Sequence, residues 1–190
     1  LKNLKNEIPI KMKAIVVWRR GGKNDESISQ NDSVDGYVLF NQFSEDKPVS
    51  ITVYLDGLVD GKHGFHIHEK CLTKEMLESD QLNCCDKLGG HFNVGEKWSN
   101  SNPLGTQHGE HTGDLCMNID VEDGLADSIF WDDQISLYPG DNCIVGRSLV
   151  IHENEDDLGE GMYSDDEMEE ESKMTGNAGS RIACGNIVTL

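Results

Sequence analysis

The chain's seven histidines, His63, His66, His68, His91, His108, His111 and His152, all fall in its interior, with none on the polar ends. The densest group lies in Gly64-Phe65-His66-Ile67-His68-Glu69. On a β-strand, side chains alternate between faces, so His66 and His68 share one face and both imidazoles can reach a single metal ion from one rigid element. Neutral imidazole suits copper, zinc, iron and nickel. His-x-His is also the pattern of two polar residues on a solvated strand face, so its meaning depends on where the other histidines fall.

The elements that must position these residues read as strands. Lys13 to Arg20 is apolar and β-branched, and Gly21-Gly22 opens a long turn to Ser33. Val34 to Phe43 follows. Val49 to Leu55 alternates strictly, the mark of a strand with one buried face. Asp56-Gly57 and Asp60-Gly61 break the run before the His-x-His strand. A helical turn is possible from Cys71 to Met76 within a loop that runs to Gly90, and a second long loop joins His91 to Gly113. Leu115 to Ile119, Leu125 to Trp131, Ile144 to His152 and Arg181 to Leu190 supply the remaining strands. The segment Glu153 to Glu171 carries eleven carboxylates and reads as a solvated loop. The expectation is an all-β, eight-stranded antiparallel barrel or sandwich with long functional loops. Residues 1–10 read as a polar extension and residues 11–190 as one domain.

Composition narrows the partners. Sixteen basic against thirty-five acidic residues give a formal charge of −19, which argues against nucleic acid and anionic membrane as partners. No apolar run is long enough to span a bilayer, and no signal-peptide pattern opens the chain. Six cysteines, Cys71, Cys84, Cys85, Cys116, Cys143 and Cys184, are too few for a disulfide-built scaffold of this length. A cytoplasmic protein is expected. Cys84 and Cys85 are adjacent, so either could pair with Cys184, or Cys71 could pair with Cys84; residue order alone does not choose.

Four further stretches complete the pattern: Gly90-His91-Phe92-Asn93; His108-Gly109-Glu110-His111-Thr112-Gly113-Asp114-Leu115; Gly146-Arg147-Ser148-Leu149-Val150-Ile151-His152-Glu153 followed by Asp156-Asp157-Leu158-Gly159; and Thr175-Gly176-Asn177-Ala178-Gly179-Ser180-Arg181-Ile182-Ala183-Cys184-Gly185. In order, and along nearly the whole chain from Lys13, the sequence resembles a copper/zinc superoxide dismutase. The resemblance implies a Greek-key barrel and the dismutation of superoxide to oxygen and hydrogen peroxide. It assigns copper to His66, His68, His91 and His152, and zinc to His91, His108, His111 and Asp114, with His91 bridging as imidazolate. Asp156 matches the carboxylate that ties a copper-ligand imidazole to a zinc-ligand imidazole. Arg181 matches the guanidinium that attracts superoxide beside copper, and His91 is the proton carrier. Cys85 and Cys184 match the family's disulfide, and His63 its structural histidine. A homodimer and a copper chaperone partner are implied as well.

Three loops depart from the family. The segment from Glu69 to His91 is longer and holds Cys71 and Cys84. The gap from His91 to His108 is stretched while that from His108 to His111 is short, so convergence on zinc requires a sharp turn, which Gly109 permits. The loop from Gly161 to Thr175 carries an acidic insertion, with Met174 where the family usually has lysine and Lys173 one residue earlier. Attraction of superoxide is therefore expected to be local, through Arg181 and Lys173, with the insertion opposing it. Such divergence would suit a viral member, working in host cytoplasm. The competing readings are a dismutase-like metal-binding or chaperone-sequestering protein without turnover, and a cupin dioxygenase. The cupin requires a ligand Glu a few residues after His-x-His; Glu69 comes too soon and Glu75 too late.

Overall fold

Strict alternation produces the strands that it predicts. In the computed structural model, residues 11–18, 27–29, 34–79, 84–97, 101–102, 106–115 and 117–190 are described. The expected extension at residues 1–10 lies outside them. The strands are β1 (Met12–Trp18), β2 (Ser27–Ser29), β3 (Asp35–Gln42), β4 (Val49–Asp56), β5 (Gly61–His68), β6 (Met117–Val121), β7 (Leu125–Asp132), β8 (Ser148–His152), β9 (Arg181–Asn186) and β10 (Val188–Thr189). One sheet has the order β10-β1-β3-β4-β7 and the other β2-β9-β8-β5-β6. All neighbours are antiparallel. The chain crosses between sheets after β1, β2, β4, β6, β7 and β9, the over-and-under path of a Greek-key sandwich. The expected eight strands are β1 and β3 to β9. The last run, Arg181 to Leu190, is divided between sheets at Ile187, and β2 is a short addition inside the expected turn.

The core lies between the sheets. Val16 and Trp18 of β1, Phe40 of β3 and Val49, Ile51, Val53 and Leu55 of β4 meet Phe65 and Ile67 of β5, Ile119 and Val121 of β6, and Leu149 and Ile151 of β8. Strand β4 follows the one-sided pattern, alternating buried with more exposed positions. Strands β5 and β8 do not: from His63 to His68 and from Ser148 to His152 every residue is buried. Their inward residues fill the core, and their other face is roofed by loops. That roofed outer face carries His66, His68 and His152.

The helical turn that the sequence allows from Cys71 to Met76 is present, shifted toward the C-terminus, and two further helical segments form where loops are expected. Helix α1 spans Lys74–Ser79, and a 3₁₀ turn spans Cys84–Leu88. The acidic segment is not wholly a solvated loop, because Asp166–Thr175 forms helix α2. Its acids are distributed in a way that helps a helix. The Asp165 side chain caps the amides of Glu167 and Met168, and the first-turn carboxylates of Asp166, Glu167 and Glu169 sit at the positive end of the helix dipole. Glu169 pairs with Lys173 four residues on, and Gly176 closes the C-terminus in the left-handed conformation. Among the described residues, no helix is long and apolar enough to cross a membrane.

Candidate metal centre

Strand register builds the first cluster. Antiparallel pairing sets His66 opposite Val150 and His68 opposite Ser148, with His152 at the end of β8. His91 is brought in by an isolated bridge to His68, and the main chain beside it is stitched to β5 by Phe92 N to Ile67 O (2.8 Å), Ile67 N to Gly113 O (2.8 Å) and Gly113 N to Phe92 O (2.7 Å). The four histidines offer ligand atoms that all lie within 4.8 Å of one another.

Each imidazole is oriented by a hydrogen bond on the nitrogen away from the cluster. His66 donates from Nε2 to Asp156 (2.6 Å), His68 from Nδ1 to the Gly89 carbonyl (3.0 Å), and His152 from Nδ1 to the Gly179 carbonyl (3.1 Å). The opposite nitrogens, His66 Nδ1, His68 Nε2 and His152 Nε2, are buried with no hydrogen-bond partner. Buried polar atoms are rarely left unpaired. Inward-facing lone pairs on imidazoles whose other nitrogen is fixed as a donor are what a metal ion requires.

A second cluster adjoins the first through His91. His91, His108, His111 and Asp114 again offer ligand atoms within 4.8 Å of one another. Nδ1 of His91, His111 and His108 lies 2.7, 3.3 and 3.4 Å from Asp114 Oδ1. Asp114 Oδ2 accepts from the amides of Gly109 (2.7 Å) and His111 (2.8 Å), which aims Oδ1 at the three imidazoles. The short His108–His111 gap is spanned by Gly109 at φ +89°, as its residue type allowed. His108 Nδ1 is another buried nitrogen with no hydrogen-bond partner. Three imidazoles and one carboxylate oxygen form a set suited to tetrahedral zinc, and the four-imidazole set suits copper.

Asp156 joins the two clusters. Besides His66, it accepts from His108 Nε2 at 2.8 Å, and Gly176 packs so closely that a Cβ there would lie 2.1 Å from Asp156 Oδ1. Asn118 brackets the Asp156 backbone through Asp156 N (2.8 Å) and Asp156 O (3.0 Å). Asp157 faces away from the clusters and accepts from Ser172 Oγ (2.9 Å), Tyr163 Oη (2.9 Å) and Asn177 Nδ2 (3.2 Å), fastening α2 to the site. Sequence reading missed Asn118, Asp157, Tyr163 and Ser172 as supports. Their only signal was that Asp157 follows Asp156. His63 stays outside both clusters, bonded to the carbonyls of His152 and Val59.

A cavity of about 410 Å³ opens beside the first cluster, lined by His91, His152, Arg181, Asp86, Glu171 and Thr175 among others. Arg181 donates from Nη1 to the Cys85 carbonyl (2.9 Å) and from Nη2 to the Gly89 carbonyl (2.7 Å). The Cys85–Cys184 disulfide binds that loop to β9, which settles the pairing left open by residue order; Cys71, Cys84 and Cys143 are thiols. Lys173 is not among the cavity's lining residues and is paired with Glu169. Glu171 does line the cavity.

Electrostatics divide the clusters. Burial holds His66 and His68 well below the ordinary histidine range, reinforced by neighbouring histidines, and pushes His152 down to about 4. These rings are neutral donors at neutral pH. Burial also lowers His91, against the pull of Asp114. At His108 burial acts downward too, but the neighbouring carboxylates of Asp114 and Asp156 prevail and raise it to about 9. For Asp114, burial acts upward and is overcome by His108, His111 and His91, which hold the carboxyl well below its usual range.

A Greek-key sandwich with two adjoining imidazole-rich clusters that share one histidine defines a protein built for a two-metal centre. The family model for copper/zinc superoxide dismutase (SODC) matches residues 34–187. Superoxide dismutase (Cu-Zn) 5 of Dictyostelium discoideum is 40% identical over 166 residues, covering 84% of this chain and 93% of that protein. The Xenopus laevis superoxide dismutase (Cu-Zn) A is 41% identical over 160 residues, covering 84% and 93%. The extracellular superoxide dismutase (Cu-Zn) of Drosophila melanogaster is 41% identical over 159 residues, covering 84% and 78%. Among solved structures, that of the clock protein EA4 aligns with a TM-score of 0.63 at 30% identity over 96% of each chain. The chain belongs to the copper/zinc superoxide dismutase family.

Proposed function

We propose that residues 11–190 act as one dismutase domain that converts superoxide to oxygen and hydrogen peroxide. Copper is held by His66, His68, His91 and His152, and zinc by His91, His108, His111 and Asp114. The observation that supports this ligand assignment best is the set of buried, unpartnered nitrogens on His66, His68, His152 and His108, each on a ring whose other nitrogen is already bonded.

When bound, copper supplies the one-electron couple that takes an electron from one superoxide and returns it to another. Arg181 provides the anchor. Two carbonyls fix its guanidinium at the cavity wall, and its remaining N–H groups can meet an anion. His91 can take up a proton at Nε2 whenever that nitrogen is not ligating, because Nδ1 is committed to the Asp114 side. Asp156 keeps His66 and His108 in the tautomers that leave a lone pair for metal. The cavity's carboxylates, Asp86 and Glu171, oppose the approach of an anion, so among its described lining residues attraction rests on Arg181 rather than on Lys173.

Replacing His68 by Ala should abolish the Cu(II) visible absorption and turnover together while zinc content stays unchanged. Turnover with full copper in that variant would sink the ligand assignment. Wild-type protein that holds both metals but consumes no superoxide would be a metal-binding relative instead. Homodimeric assembly, loading by a copper chaperone and a cytoplasmic location complete the proposal; sedimentation, copper transfer in a reconstituted system and cell fractionation test them.

A further inference from the structure

The disulfide that pins the cavity loop has a third sulfur beside it. Cys84, Cys85 and Cys184 place their sulfur atoms within 4.8 Å of one another, and all three residues are at most 1% exposed. They lie in a small apolar cluster with Leu72, Leu88 and Val150, against which Met76 and Leu77 of α1 pack. Cys85 and Cys184 form the bond while Cys84 keeps its thiol. Cys84 and Cys85 are consecutive in one 3₁₀ turn, and both face a single β9 cysteine that register sets opposite Val150.

We propose that this is an internal thiol–disulfide exchange site in which Cys84 and Cys85 alternate as the partner of Cys184. The Cys84 thiolate attacks Cys184 Sγ, a Cys84–Cys184 bond forms, and the Cys85–Cys184 bond breaks. The electron pair leaves on Cys85 Sγ, which takes up the proton that Cys84 released. Atoms and electrons balance within the chain, so no oxidant or reductant is needed. The apolar cover keeps bulky external thiols out, so the sulfur within reach of the bond is the internal one. Attack on Cys85 instead would join adjacent residues in a small strained ring, so Cys184 is the sulfur exchanged.

Exchange reaches the cavity because Arg181 donates to the Cys85 carbonyl. Moving the bridge by one residue along the 3₁₀ turn changes how that carbonyl is held and therefore where the guanidinium sits. The exchange itself does not depend on the superoxide reading, and its test measures only sulfur connectivity.

Metal-loaded full-length protein, incubated without added thiol at about pH 8, is quenched in acid and labelled with N-ethylmaleimide in denaturant near pH 5. It is then digested with pepsin and sequenced by mass spectrometry. The expected result is label on both Cys84 and Cys85, with the Cys85 share rising over time to a plateau. In parallel, Cys85→Ser treated with oxidised glutathione should form a Cys84–Cys184 disulfide, which Cys84→Ser/Cys85→Ser cannot. Label confined to Cys84 in the wild type, or Cys184 left outside any internal disulfide in folded Cys85→Ser, overturns the proposal. The wild-type map decides it if the variant does not fold.

Discussion

Replacing Asp156 by Asn keeps the shape of the side chain but exchanges one of two acceptor oxygens for a donor. His66 and His108 both donate to this carboxylate, so one imidazole must lose its partner or flip its tautomer, and a lone pair meant for metal is lost. Affinity for at least one metal should fall by about 10- to 100-fold, measured by chelator competition; unchanged affinity for both would remove Asp156 from its tying role. His108 gives a second prediction, on pH. Its raised value of about 9 means that in the metal-free protein it gains stability from its carboxylate partners. That gain is fully present below the unfolded value near 6.5 and is lost as pH rises through about 9. His152, depressed to about 4, acts oppositely: stability is lost as pH falls from about 6.5 toward 4. Zinc must displace the His108 proton, so zinc affinity should climb by about one log unit per pH unit for that proton up to about pH 9 and then level. Titration with a zinc-sensitive competitor across that range checks it. At this scale the sequence was most readable in which residues come together, because candidate ligands are marked by residue type and strand period. Asn118 and Asp157 were not readable, since nothing local distinguishes them before the fold brings them to Asp156 and α2.

Helix α2 shows why elements were harder to read than residues. Like-charge density favours a solvated loop when only the chain is considered. Cap, dipole and ion pair reverse that outcome, and Asp157 holds the helix against the site. A ten-residue helix would be marginal alone, so the decisive contacts are tertiary and invisible in a local window. The strands were legible because alternation is itself the record of a buried face. The helix changes how the acidic insertion should be tested. Deleting Met162 to Glu169 would remove the Asp165 cap and the first turn of α2, mixing charge with structure. Glu171→Gln is cleaner, because the new amide oxygen can still accept the bond that Thr175 makes to Glu171 Oε1 (2.6 Å). The variant should react roughly two- to threefold faster than wild type at low ionic strength, and equally fast at high salt, where exposed charges are screened. Equal rates at low salt would show that Glu171 does not oppose the substrate.

Across the whole molecule, the first cluster draws three ligands from β5 and β8, whereas the second is built from the loop between His91 and Asp114. Stripping both metals should therefore leave the sandwich largely intact and loosen that loop. Hydrogen exchange should speed up at residues 106–115 well before β3, β4 or β8 responds. Uniform acceleration of the strands would show instead that the metals support the sheets directly. Reduction of the disulfide acts on another scale. It links positions 99 residues apart, and its loss should lower stability by about 2–4 kcal/mol, read as a shifted denaturant midpoint. The net charge of −19 does not decide substrate approach by itself, because its field is screened within about 8 Å at physiological salt.

The Gly89 carbonyl is a shared acceptor. Arg181 Nη2 approaches it at 2.7 Å and His68 Nδ1 at 3.0 Å, so the proposed substrate anchor and a proposed copper ligand draw on the same oxygen. A cation pulling on that oxygen weakens its hold on the imidazole proton, and the imidazole becomes a poorer electron donor to its metal. On the proposed assignment, Arg181 would tune the redox couple as well as attract the anion. Arg181→Met should return the oxygen to His68 alone, strengthen its donation and favour Cu(II), moving the midpoint potential downward at unchanged copper content. Potentiometry on the variant would show it, and an unmoved potential would confine Arg181 to the handling of substrate.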